Sequence, residues 1–140
     1  MSSIMISSNL PLPFIGATDY SLLSRLAYQA LSRDFDIAAE LIEKLERPCV
    51  LPDDQVPPDV IKIGSVVTCE VEGGIRRTFS LVHPDDVDAE EGRISVLTPV
   101  GVALLGLRSG QAVEWFSRDG QRNRLTVARV EDDVTGELAL

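Results

Sequence analysis

Residues 92–106 read Gly92-Arg93-Ile94-Ser95-Val96-Leu97-Thr98-Pro99-Val100-Gly101-Val102-Ala103-Leu104-Leu105-Gly106, and this stretch decides the fold. Residues 93–97 have the character of a short strand. Thr98 then suits a helix N-cap, Pro99 suits the first helical position, and Gly106 suits a left-handed stop. The residues between are apolar throughout, so the stretch predicts a strand followed by a two-turn helix laid on a sheet.

Strand signals surround it. Residues 61–71 and 75–83 are rich in β-branched side chains and are separated by Glu72-Gly73-Gly74, a hairpin-type turn. Residues 111–117 and 123–131 form a second pair that turns at Asp119-Gly120. Trp115 and Phe116 are adjacent strand positions and point to opposite faces, one toward the core and one toward a covering element. Residues 85–92 form an acidic loop. These signals predict a mostly antiparallel sheet carrying one short helix.

Upstream the period becomes helical. Leu22, Leu26 and Ala30 are spaced by four, as are Leu23, Ala27 and Leu31. After Asp34-Phe35-Asp36 the apolar stripe resumes with Ile37, Ala38, Leu41, Ile42 and Leu45, and Asp36 is expected to cap this second helix. Pro48 ends it. Two helices of about a dozen residues make an antiparallel hairpin, an arm of ~20 Å at ~1.5 Å per residue. An arm this short has little core of its own, so melting is expected to begin there. The fold class is therefore α+β. The expected organisation is a flexible tail over 1–18, the hairpin over 19–47, a stiff Pro-rich linker over 48–59, the sheet domain over 60–132 and a C-terminal tail over 133–140.

Composition excludes several functions. With 13 Lys and Arg against 22 Asp and Glu in 140 residues, the formal charge is −9. An acidic chain lacks the basic stripe that displaces counterions from nucleic acid, so direct nucleic-acid binding is not expected. No apolar run is long enough to cross a membrane, and the first ten residues carry no Lys or Arg ahead of their apolar stretch, against a secretory signal. Two cysteines, Cys49 and Cys69, form neither a disulfide framework nor a zinc site and are expected to be inert. His83 is the single histidine and is read as a structural residue at a strand end. No Gly-rich loop precedes a Lys, so a nucleoside triphosphate site is not supported. The expectation is a cytoplasmic protein that uses no cofactor or metal.

Ile63-Gly64-Ser65-Val66-Val67, the stretch 92–106 and Gly110-Gln111 together resemble the C-terminal domain of the Gre transcript-cleavage factors. The segment 103–108, Ala-Leu-Leu-Gly-Leu-Arg, resembles most the Rnk branch, the regulators of nucleoside diphosphate kinase, whose members join a short helical hairpin to that domain. The resemblance implies an FK506-binding-protein-like fold and a partner, RNA polymerase, at the rim of whose secondary channel Gre factors dock. By the same resemblance Thr98, Pro99 and Val100, with Ser95 before them, correspond to the docking segment. Asp34 and Asp36 fall at the hairpin tip, where Gre factors carry the carboxylates that help hold a catalytic Mg²⁺. An arm of ~20 Å is much shorter than the Gre coiled coil, so helix capping and solvation account better for these two residues and for Glu40.

Four readings follow. The first is a non-catalytic regulator that binds the polymerase, tunes elongation and competes with Gre factors, with any effect on nucleoside diphosphate kinase indirect. The alternatives are transcript cleavage, direct binding of the kinase, and prolyl isomerisation. The last needs an aromatic-lined cleft, which an aromatic content of 5% scarcely supplies. The expectation is that the protein is not an enzyme.

Overall fold

A computed structural model describes residues 13–132. The elements in chain order are β1 (Phe14–Gly16), α1 (Ala17–Ala30), α2 (Phe35–Leu45), β2 (Cys49–Leu51), β3 (Ser65–Val71), β4 (Arg76–Val82), β5 (Arg93–Ser95), α3 (Pro99–Leu104), β6 (Ala112–Phe116) and β7 (Arg122–Asp132). The main sheet has five strands in the order β5-β4-β3-β7-β6. Only the short edge strand β5 runs parallel to its neighbour β4; the other pairs are antiparallel. This is the expected α+β architecture, with the turns at Gly73-Gly74 and Gly120 made by glycines at positive φ.

The tail expected over 1–18 is divided. Residues 1–12, like the tail over 133–140, lie outside the described residues, whereas Phe14–Gly16 is a strand paired in parallel with Cys49–Leu51. Its backbone has partners on both sides: Phe14 N donates to the Gly106 carbonyl at 3.1 Å, and Cys49 N donates to the Pro13 carbonyl at 2.7 Å. Gly106 has φ +84°, and a Cβ there would sit 2.4 Å from the Pro13 Cβ. The left-handed stop read from the sequence thus also makes room for the N-terminal strand.

The expected linker over 48–59 contributes structure as well. Gly16 offers α1 no side-chain cap. The carboxylate of Asp53 supplies one from 35 residues away, accepting from Thr18 N at 3.0 Å and from the Thr18 hydroxyl. At the same base Asp19 accepts from Ile63 N at 3.3 Å. Desolvation is the main cause that raises the Asp19 carboxyl above its ordinary range.

The second helix is capped by Asp34 rather than Asp36. Asp34 has non-helical backbone, with φ −148° and ψ 82°, and accepts from Ile37 N at 3.3 Å. Asp36 is already helical and stands exposed in the first turn, where its charge complements the helix dipole.

The arm does not have a separate core. Leu23, Leu26, Ala27, Ile37 and Leu41 join Val67, Leu81, Val96, Leu104 and Val127 in one buried cluster. Because the hairpin shares the core of the sheet domain, arm and sheet are expected to melt together rather than arm first. Phe35 and Tyr28, near the turn between the two helices, remain exposed.

Candidate functional site

Ser95 and Thr98 form a small internal lock at the start of α3. The Ser95 hydroxyl accepts from Leu97 N at 2.9 Å, while its carbonyl accepts from the Thr98 hydroxyl at 2.8 Å. The Thr98 oxygen in turn accepts from Gly101 N at 3.1 Å, the N-cap bond that the sequence predicts. Both hydroxyls are therefore engaged within the fold, so these residues set the geometry of the segment. Gly101 completes it: a Cβ there would lie 2.6 Å from the Ser95 carbonyl and 2.9 Å from that of Val96. Only glycine lets the helix sit so close to the end of the strand.

The surface of the segment belongs to Pro99 and Val100. They line an open cleft of about 480 Å³ with Trp115, Arg118, Asp119 and Asn123. Val100 is half-buried and packs on the core while lining the cleft. Trp115 does the same from β6, whereas Phe116 points to the other face of the strand and is exposed. Among the described residues lining the cleft, Trp115 is the one aromatic.

Two contacts join the arm to this region, and neither pairing was signalled by local sequence. Arg118, in the β6–β7 turn, pairs with Asp34 at 2.6 Å. Its hydrogen bond, with that of Ile37 N, holds the Asp34 carboxyl below its usual range. At the other end of α2, Lys44 Nζ donates to the carbonyls of Val102 and Ala103 at 2.5 and 2.8 Å, and so satisfies free carbonyls at the end of α3. Burial pushes the Lys44 ammonium down to about 7. The arm thus lies along α3 and is fastened at both ends.

The two expected tip residues are not brought together on one ligand. Asp34 is engaged by Ile37 N and Arg118, and Asp36 faces solvent. Among the described residues no group of three His, Cys, Asp or Glu side chains converges to hold an ion. His83 Nδ1 accepts from Asp85 N at 3.0 Å and caps the following turn. Cys69 is buried, which pushes its thiol up to about 11 and keeps it protonated.

The fold has a solved counterpart. The prokaryotic transcription elongation factor GreA/GreB from Nitrosomonas europaea superposes with a TM-score of 0.71 at 32% identity, over 87% of this chain and 99% of that one. The family model described as transcription elongation factor, GreA/GreB, C-term matches residues 56–132. The chain belongs to the GreA/GreB family. Among its relatives, the regulator of nucleoside diphosphate kinase from Escherichia coli is 33% identical over 111 residues, 79% of each chain. The transcription elongation factor GreA from Azorhizobium caulinodans is 34% identical over 86 residues, 61% of this chain and 55% of its own. The similarity to the regulator extends over more of both chains than the similarity to this GreA.

Proposed function

We propose that the protein is a cytoplasmic, non-catalytic regulator that binds RNA polymerase at the rim of the secondary channel, tunes elongation and competes with Gre factors for that place. The docking edge is the segment locked by Ser95 and Thr98, with Pro99 and Val100 at its surface. One observation carries this reading: the arm, of 14 and 11 helical residues, lies on the globular domain with its tip carboxylate Asp34 bound to Arg118. An arm of ~20 Å held in this way keeps a docking edge but has no reach toward a distant metal. The kinase in the name of the Escherichia coli relative is then affected indirectly, through transcription.

The test mixes purified protein with core polymerase and with a backtracked elongation complex. Binding displaced by a Gre factor, without shortening of the transcript, is the expected result. Transcript shortening that disappears in Asp34→Ala/Asp36→Ala would establish the cleavage reading instead.

A further inference from the structure

The docking edge continues onto the arm. Arg118 lines the cleft with Pro99, Val100 and Trp115, and it holds Asp34, so the first turn of α2 lies at the mouth of the cleft. From there Asp36, Glu40 and Glu43 follow at i, i+4 and i+7, one row along the helix. The row lies on the solvent side of α2, away from Ile37, Ala38, Leu41 and Leu45, and Glu40 joins it to the cleft, since its carboxyl feels the charges of Arg118 and Asp34.

All three carboxylates are exposed, and among the described residues none has an ion-pair partner within 4.0 Å. The nearby cations are already engaged, Arg118 by Asp34 and Lys44 by backbone oxygens. Glu40 is pushed above its usual range first by desolvation and then by the charges of Asp36 and Glu43, with Arg118 acting against them. A row of like charges one turn apart is unfavourable by itself and is relieved by positive charge brought from outside. Its sign repels nucleic acid, which leaves a protein segment.

We propose that cleft and row form a single surface for a basic amphipathic segment of a partner protein. An apolar side chain of the segment enters the cleft against Trp115, and its Lys or Arg heads lie along Asp36, Glu40 and Glu43. This deepens the docking reading and rests on it for the identity of the large partner.

Trp115 is the chain's one tryptophan, so its emission reports the cleft directly. The probe is a tryptophan-free helical peptide of Leu, Ala and Lys with one apolar face; its Lys→Glu counterpart is the control. The Lys peptide is expected to change Trp115 emission saturably and in a salt-sensitive way, and the Glu peptide is not. Asp36→Lys/Glu40→Lys should weaken the peptide and core polymerase by roughly tenfold or more, and Asp36→Asn/Glu40→Gln by less. Asp85→Lys/Glu90→Lys, the same charge change on the loop over 85–92, should leave both nearly unchanged.

Equal loss in the loop variant would mean that net charge alone attracts the peptide, and would overturn the proposal. Polymerase affinity untouched by both arm variants would overturn it too, while leaving the docking reading intact. If polymerase does not bind at all but the peptide behaves as expected, the docking reading falls and the surface serves another basic partner. A Trp115 signal that follows protein concentration without peptide would assign the surface to a second copy and overturn the proposal.

Discussion

Lys44, near the end of the second arm helix, donates its ammonium to the main-chain oxygen of Ala103, across 59 residues of sequence and at 2.8 Å. With the bond to the Val102 carbonyl, this makes the arm the C-terminal cap of the helix that starts at Pro99. An arm position and an edge geometry are thus fixed by the same side chain.

Replacing Lys44 by Met keeps the stem and removes the cap. Leaving the two carbonyls without their donor works against stability by ~1–3 kcal/mol, while losing the buried charge works in its favour, so the net change at neutral pH is small. The charge also has a signature in pH. The folded value near 7 lies below the ordinary 10.5, so the unfolded chain binds more protons between those limits, and stability rises with pH through that window. The penalty is fully present below pH 7. The slope is at most about 1 kcal/mol per pH unit, since the bonds to carbonyls favour the charged form and oppose desolvation. Cys69 acts with the opposite sign between 9 and about 11, where the folded state keeps a thiol proton that the unfolded state has lost. Urea midpoints between pH 7 and 9 isolate the lysine: they should climb in the unmodified protein and stay flatter in Lys44→Met.

Gly101→Ala tests how tightly the edge is built. The added methyl meets main-chain oxygens of Ser95 and Val96, which have nowhere to go, so a loss of ~1–3 kcal/mol is expected. Thr98→Ala removes the cap together with the bond to the Ser95 carbonyl and should cost ~1–2 kcal/mol, with Thr98→Ser close to the unmodified protein. Melting curves rank the three. If Gly101→Ala were no worse than Thr98→Ala, the close approach of α3 to β5 would be wrong.

Leu26→Ala and Leu41→Ala should each destabilise by ~2–5 kcal/mol, since the two side chains are 6% and 0% exposed in a core common to arm and sheet. Because that core is common, denaturation followed by helix content and by Trp115 fluorescence should give coincident transitions in both variants. An early loss of helix with Trp115 unchanged would restore the picture of an arm that melts alone.

What the sequence disclosed divides by distance along the chain. Thr98, Pro99 and Gly106 act on neighbours within a few residues, so their chemistry was readable as cap, first turn and stop. The strand pairs were readable for the same reason, through period and turn glycines. Asp34 and Asp36 were ambiguous because both suit a cap, and only the backbone angle at Asp34 decides between them. Asp53, Lys44 and Arg118 act on partners 35, 59 and 84 residues away, where no periodicity carries a signal. Those three contacts hold the arm and help define the site, which explains why the fold was legible and the arm's attachment was not.

The sharpest test of the docking edge uses Pro99 rather than Val100. Val100 packs on the core, so a charge there would disturb the fold together with the surface. Pro99 lines the cleft at the first helical position, where its missing N–H is not needed. Pro99→Lys brings a cation to a helix N-terminus, an expected cost of ~0.3–1 kcal/mol, and frees the backbone by a similar small amount. The matched control is Val87→Lys, the same added charge at an exposed site in the acidic loop. Both variants should keep nearly the melting temperature of the unmodified protein. Affinity for core polymerase, measured by competition with a Gre factor, should fall roughly tenfold or more in Pro99→Lys, because the new ammonium would be desolvated within an apolar contact. Val87→Lys should compete as the unmodified protein does. If the two variants compete equally well, polymerase does not rest on the cleft between α3 and β6, and the docking surface lies elsewhere on the domain.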